Sequence, residues 1–241
     1  MIKSRISLIC TRILSFYSSL QLKEYTGTYF VTSKPRYLSQ FVGIYPQTIR
    51  VGDSLTNRTH IAEFGAKNSK EFSFWAWRDC GIACVKMIVD SKVGSNKTMM
   101  ELTNEGISLG GYILYEGEKF VDKGWFHSSL VKLLQSNGVP ARSKKFQSLH
   151  SVAVDLLKNR CVILSVTVPG RSTIMADGSF LPQEKATYMG HLLLATGVKM
   201  NGKEIEGFYV HDPRGLPRYQ KDCWISATTF AEIFSGRTIV V

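Results

Sequence analysis

Apolar residues recur at the spacing of an α-helix in three segments of this chain. The first begins at Cys80 and stops before Gly94, and the second covers residues 128–135 and stops at residues 137–138. The third covers residues 152–157. Glycine and Asn-Gly pairs are typical of helix C-termini, so in the first two segments the residues that end the pattern are those expected to end a helix. The sequence therefore predicts three helices in this part of the chain.

Continuous or alternating apolar runs dominate after the third helix. Residues 161–168 form an unbroken apolar run that is typical of a buried strand. Residues 191–198 and 205–210 predict two more strands, and Asn-Gly at 201–202 is a hairpin turn between them. A long loop is expected at 169–190. Helices first and antiparallel strands afterwards indicate an α+β fold.

Hydroxyl side chains mark where two of the helices begin. Ser148 or Ser151 is placed to cap the helix at residues 152–157. Thr229 with Glu232 three residues later has the pattern of a capping box, which predicts a short helix there. Residues 238–241 then predict a closing strand.

The N-terminal third of the chain has a different pattern, and we divide the sequence accordingly. Residues 1–20 are basic and apolar, with Arg12 interrupting the apolar run. Residues 21–70 alternate aromatic and β-branched residues with turn residues, which predicts a β-rich extension with two or three short strands. Residues 71–241 form the main domain.

Three residues in this order could form a nucleophilic triad. Cys80 lies at the expected N-terminus of a helix, where the positive end of the helix favours a thiolate. His191 opens an apolar strand, and an imidazole can accept and return a proton near neutral pH. Asp212 follows on a turn, and a carboxylate can fix the tautomer and orientation of an imidazole.

The motifs around these residues resemble a known family. They are Asp-Cys-Gly-x-Ala-Cys at 79–84, Gly-His before an apolar strand at 190–191, and Asp-Pro-x-Gly at 212–215. Together they are similar to the bacteriocin-processing peptidases, papain-like cysteine peptidases that cleave leader peptides after a double glycine, and to their stand-alone relatives. The resemblance covers roughly residues 70 to 241.

This resemblance implies a fold and a set of roles. The fold is papain-like, with the cysteine on a helix N-terminus packed against an antiparallel sheet that carries the histidine and the aspartate. Cys80 corresponds to the nucleophile, His191 to the general base and Asp212 to the residue that orients it. The double-glycine specificity is not carried over, because nothing in the sequence identifies the substrate.

The chain departs from the family where an oxyanion donor is expected. The family usually has a glutamine six residues before the nucleophile, and Phe74 stands there instead. The Cys80 backbone N–H can supply one donor. For the other, the candidates are the indole N–H groups of Trp75 and Trp77 and the hydroxyl of Ser73. Trp75 is the preferred candidate, because it is nearer the position of the missing glutamine.

Four residues that flank the triad motifs are expected to line a substrate cleft. They are Phe74, Asp79, Gly81 and Gly190.

Composition excludes several other classes of protein. The net charge of +11 is dispersed along the chain rather than concentrated in one run, which argues against a specific nucleic-acid site. The five widely spaced cysteines do not form a disulfide framework, and Cys80 with Cys84 lacks the second ligand pair of a zinc site. No metal or cofactor is therefore expected.

The same cysteine pattern favours a reducing compartment, with the cytoplasm as the expected location. Residues 1–20 are also compatible with attachment to a membrane surface or with an organellar presequence, and the sequence leaves both open. No segment reaches transmembrane length. The oligomeric state is left open.

The sequence thus predicts a thiol-dependent hydrolase that cleaves peptide or amide bonds in a peptide or protein substrate. The absent glutamine motivates an alternative, a catalytically inactive peptidase-like domain that binds peptides or a protein partner. A basic protein that binds nucleic acid is a second alternative, and a steep salt dependence of binding would reveal it.

Overall fold

A computed structural model describes most of the chain. The described residues are 2–22, 24–43, 53–113, 115–120, 122–169, 173–174, 180–181, 188–215 and 220–241. Their helices are α1 (Ile2–Gln21), α2 (Arg58–Phe64), α3 (Ser69–Ala76), α4 (Cys80–Val93), α5 (Met99–Ser108), α6 (His127–Ser136), α7 (Leu149–Leu157) and α8 (Ala227–Ile233). Their strands are β1 (Tyr25–Phe30), β2 (Tyr115–Glu116), β3 (Lys119–Phe120), β4 (Arg142–Lys144), β5 (Val162–Pro169), β6 (Thr173–Ile174), β7 (Phe180–Leu181), β8 (Tyr188–Gly202), β9 (Glu204–His211), β10 (Cys223–Ser226) and β11 (Phe234–Val240).

One seven-stranded antiparallel sheet organises the molecule. Six strands lie in the order β10-β9-β8-β5-β11-β4, and β1 pairs with β8. Strand β8 is 15 residues long and can therefore pair with both β5 and β1 along its length. Its residues 188–195 pair with β5, and its residues 197–202 pair with β1. Two short hairpins, β2-β3 and β6-β7, lie outside this sheet.

Helix α4 packs on the sheet and sets the position of Cys80. Its residues from Gly81 to Val85 are fully buried, as are Met87, Ile88 and Val89. The Cys84 thiol donates to the Leu192 carbonyl of β8 over 3.7 Å. The helix ends at Gly94, whose φ of 67° is the left-handed conformation that glycine adopts without strain.

The mixed α+β class is confirmed, and the structure decides two open points at helix starts. Ser148 rather than Ser151 caps α7, since its side chain accepts from the Ser151 N–H. The capping box expected at Thr229 is wrong, because Ser226 caps α8 and accepts from the Thr229 N–H. The helix therefore begins three residues earlier than expected, so Thr229 lies inside its first turn instead of capping it.

The expectation of a β-rich extension at residues 21–70 is also wrong for its described part. This part contains β1, the whole of α2 and the start of α3, and β1 belongs to the main sheet. Residues 44–52 of the predicted extension lie outside the described residues. Most of the loop predicted at 169–190 also lies outside them, but its described residues include the β6-β7 hairpin and the start of β8 at Tyr188. The domain boundaries remain predictions.

Candidate active site

Cys80 is the first residue of α4 and opens onto a cavity of about 1140 Å³. A residue at this position has a backbone N–H without an intrahelical acceptor. The cavity wall includes His191 of β8 and Gln40 from the loop after β1. The start of α4 and the interior strand β8 therefore bring Cys80 and His191 to one concave surface.

His191 lies between Cys80 and Asp212. Its Nε2–H donates to Asp212 Oδ1 over 2.7 Å, and a side-chain hydrogen bond links it to Cys80. Because Nε2 is bonded to Asp212, Nδ1 is the nitrogen that remains for the thiol. Only 8% of His191 is exposed, so these polar contacts are largely screened from water. The three residues form one continuous chain of side-chain contacts.

The electrostatics of this chain favour a protonated imidazole. Burial lowers the pKa of His191, but the charge and hydrogen bond of Asp212, with the contact to Cys80, raise it to about 9. An imidazolium at this position places a positive charge directly beside the Cys80 side chain. The histidine can therefore carry a positive charge near neutral pH.

The turn that carries Asp212 is fixed by its own backbone and by the loop after β1. The Arg214 N–H donates to Asp212 Oδ1 over 2.8 Å, and the Asp212 N–H donates to the Gln220 carbonyl. Tyr37 Oη donates to the Asp212 carbonyl over 3.1 Å. A Cβ at Gly215 would lie 2.8 Å from Ser39 Oγ, so the glycine of this motif allows the loop to approach.

His211, which neighbours Asp212 in sequence, does not take part in this site. It is fully buried, and the Asp222 N–H donates to its Nδ1 over 3.1 Å. Its Nε2–H therefore donates to the Pro35 carbonyl, 2.9 Å away. Burial lowers its pKa, in keeping with a neutral ring that ties two loops together.

Ser73 and Trp77 line the cavity but their donors are bonded elsewhere, and Trp75 is not part of the cavity wall. The Trp77 indole N–H donates to the Asp53 carbonyl, and the Ser73 hydroxyl donates to the Ser69 carbonyl. Trp75 is 8% exposed, packs edge-on against Tyr112, and is not part of the cavity wall. Their contacts do not support the expectation that one of them completes an oxyanion hole.

Gln40 is the functional candidate that sequence reasoning missed. Its side chain is part of the cavity wall and is 3% exposed. Nε2 donates to the Ala76 carbonyl over 2.6 Å, and the Gln40 N–H donates to the Pro213 carbonyl. An amide nitrogen carries two hydrogens, so a second N–H remains after the bond to Ala76. The glutamine thus links the segment before Cys80 to the turn that carries Asp212.

The other end of the Gln40 amide is not satisfied. Oε1 is buried and has no hydrogen-bond partner among the described residues. An unsatisfied buried polar group costs about 1–3 kcal/mol, so its retention at a cavity points to a functional role. The available sequence signal was a glutamine set between apolar Leu38 and Phe41, which indicates a buried amide but not its distant partners.

Asp79 is a buried acid behind the nucleophile rather than a residue of the cleft. It is fully buried, accepts from the Trp125 indole N–H over 3.2 Å, and makes no side-chain cap to α4. Burial raises its pKa to about 8, although contacts with Thr103, Trp125 and Arg78 oppose the rise.

The surroundings of Thr103 fit a neutral Asp79. Thr103 Oγ1 lies 2.8 Å from the Met99 carbonyl and 2.7 Å from Asp79 Oδ2. A hydroxyl has one hydrogen and cannot donate to both oxygens. If Asp79 is protonated, its O–H donates to Thr103 and the Thr103 hydrogen is left for Met99. Both bonds are then satisfied.

Two of the four predicted cleft residues line the cavity and two do not. Phe74 and Gly190 are part of its wall. Gly81 is not, because it packs under Leu192 and Leu130, which lie 3.0 and 3.1 Å from where its Cβ would be. A Cβ at Gly190 would meet no atom within 4 Å, so the cavity is open beside His191.

Aromatic and charged side chains form the remaining wall. Arg78 pairs with Asp122 over 2.9 Å and lies over the Phe74 ring, and Tyr112 donates to the same aspartate. The described residues contain no cluster of side chains suited to hold a metal ion. The cavity wall therefore places aromatic and charged side chains that could bind a ligand around the Cys80 thiol.

The five cysteines are all free, and their exposure differs. Cys10 and Cys80 are partly exposed, whereas the other three are buried. Burial raises the pKa of Cys161 and Cys223 to about 11. Only Cys10 can therefore compete with Cys80 for a thiol reagent in the folded protein.

Comparison with known proteins adds a likeness in fold. No family model and no curated protein matches the sequence. Among solved structures, a crystal structure from Bacillus anthracis, provisionally described as a C39-like peptidase, superposes with a TM-score of 0.50 at 13% identity. The match covers 88% of this chain and 96% of the other. At this identity the likeness concerns the fold alone, and the chain has a helix and antiparallel-sheet fold like that of this C39-like peptidase.

Proposed function

We propose that the protein is a cysteine peptidase that hydrolyses peptide or amide bonds. The observation that carries the proposal is the continuous contact from Cys80 through His191 to Asp212 at the wall of an open cavity. The likeness of the fold to a C39-like peptidase supports it, as does the resemblance of the three sequence motifs.

The proposed reaction begins with attack of the Cys80 thiolate on the carbonyl carbon of the scissile bond. The His191 imidazolium then gives its proton to the leaving amine, which departs and leaves a thioacyl group on Cys80. A water molecule, deprotonated by His191, attacks the thioester and releases the acid. Asp212 holds the imidazole through Nε2 and stabilises its charged form.

Gln40 fits the role of the second oxyanion donor. Its remaining N–H and the backbone N–H of Cys80 would bind the oxygen of the tetrahedral intermediate. Gln40 reaches the cavity from a loop far from Cys80 in sequence, which compensates for Phe74 at the position of the usual glutamine. This removes the motive for assuming an inactive domain.

The test compares Cys80→Ala with Cys10→Ala on a peptide that the parent protein cleaves. The proposal predicts that Cys80→Ala abolishes turnover while peptide binding survives, because alanine removes the nucleophile and little of the cavity wall. Cys10 lies in α1, away from the cavity wall, so Cys10→Ala should retain full turnover. Peptide binding without turnover in the parent protein would favour the inactive binding domain instead.

A further inference from the structure

Helix α1 has a row of large apolar side chains on one face that is turned away from the rest of the protein. Five large hydrophobic residues on this face are 51–66% exposed. They are Ile9, Ile13, Phe16, Tyr17 and Leu20. Soluble proteins rarely leave a contiguous row of such residues in water, so this face is expected to be covered by something.

Serine side chains on the opposite face of α1 contact α7. Ser15 Oγ bonds His150 Nδ1 over 3.2 Å, and Ser18 Oγ bonds Ser151 Oγ over 3.0 Å. Leu22, directly after the helix, is 2% exposed and fixes its C-terminal end. This orientation is the reverse of an ordinary surface helix, whose apolar face packs on the core. The fold therefore holds the apolar face outward.

The charges of α1 distinguish between two possible covers. The exposed residues at 9, 13, 16 and 20 have the spacing of a coiled-coil seam, which a second copy of the chain could pair with. The sequence of α1 contains three cations, Lys3, Arg5 and Arg12, and no aspartate or glutamate, and Arg12 is exposed. Two such seams would bring cations together without an acid to pair with them. An anionic surface is the complementary partner.

We propose that α1 docks the protein on an anionic lipid surface, with its apolar face in the interfacial region and its cations at the lipid phosphates. Helices that combine an exposed apolar face with basic residues bind membranes in this way and lie in the interface plane. No helix of the described residues is long and apolar enough to cross a membrane. The inference is independent of the peptidase proposal, because α1 does not contribute to the wall of the cavity.

The test is flotation of the full chain with two kinds of vesicle, phosphatidylcholine alone and phosphatidylcholine with phosphatidylserine. The parent protein should float only with the phosphatidylserine vesicles and should be released by salt. Ile13→Ser should weaken binding roughly ten-fold, and Arg12→Gln roughly five-fold. The matched control is Ile107→Ser, since Ile107 is 37% exposed on another helix and should not affect binding.

Because Ile13 is exposed, Ile13→Ser should unfold at the same temperature as the parent, so that lost flotation reports the surface. Equal flotation with both vesicle types, flotation with neither, or an unchanged Ile13→Ser variant would overturn the proposal. Self-association in solution that Ile13→Ser abolishes, without vesicle binding, would also overturn it and identify a second copy of the chain as the cover.

Discussion

Replacement of Gln40 by methionine is the substitution that most sharply separates chemistry from folding. Methionine has nearly the same length and lacks the side-chain amide, both its carbonyl and its NH2 group, including the N–H proposed to bind the oxyanion. Loss of one such donor lowers turnover roughly 100- to 1000-fold, or about 2.7–4 kcal/mol in the activation barrier. We therefore expect this loss in kcat for Gln40→Met.

The effect of Gln40→Met on stability should be much smaller. The variant loses the 2.6 Å hydrogen bond to the Ala76 carbonyl, but it also removes the buried Oε1 that has no partner among the described residues. The lost hydrogen bond destabilises the fold and the removed oxygen stabilises it. The free energy of unfolding should therefore change by only about 1 kcal/mol, or roughly 2–4 °C in Tm for a domain of this size. Thermal unfolding followed by circular dichroism measures this change.

Two controls show whether the loss arises in the oxyanion hole. Alkylation of Cys80 by iodoacetamide displaces iodide and forms no oxyanion, so its rate should be the same in Gln40→Met as in the parent. Gln147 is also buried and donates to the Lys145 carbonyl, but it lies outside the cavity wall. Gln147→Met should therefore keep full turnover. The reasoning is refuted if Gln40→Met stays within a few-fold of the parent, or if alkylation falls as much as turnover.

Substitutions at three further positions have definite expected outcomes. Since Asp212 helps raise the pKa of His191 to about 9, Asp212→Asn should move the basic limb of the pH–rate profile to lower pH, and an unmoved limb would contradict this. Burial raises the pKa of Asp79 from 3.8 to about 8, so the stability it contributes is present below pH 3.8 and is lost as the pH rises to about 8. Asp79→Asn, measured by urea unfolding across this range, should lose less stability with rising pH than the parent. Gly190→Phe should block the open cavity and lower kcat/KM with an unchanged Tm, whereas Gly190→Ala should be neutral because its Cβ meets no atom within 4 Å.

The local parts of the fold could be predicted from the sequence. Helical spacing with a glycine stop gave α4 to within a residue, and the Asn-Gly pair marked the turn after β8. These features depend on neighbouring residues, for which periodicity and turn chemistry are sufficient. The start of α8 was misplaced because two hydroxyl residues, Ser226 and Thr229, both fit a cap.

The parts that depend on distant contacts could not be predicted. Nothing in the local pattern of β1 shows that it pairs with the far end of β8, so it was assigned to a separate extension. Gln40 was missed for the same reason, since its bonds to Ala76 and Pro213 join segments that are remote in sequence. Cys80, His191 and Asp212 could be proposed as a triad from the sequence, because a thiol, an imidazole and a carboxylate each have a distinct chemical role in such a site.

The central claim is that Cys80 is the nucleophile, and a trapped intermediate tests it most directly. An activated peptide ester should acylate the enzyme faster than water removes the acyl group, so an acid quench should preserve a thioester. Mass spectrometry of the digested protein should then find the acyl group on the peptide that contains Cys80, and not on the peptide that contains Cys10. Turnover without an adduct at Cys80, persisting in Cys80→Ala, would contradict the account.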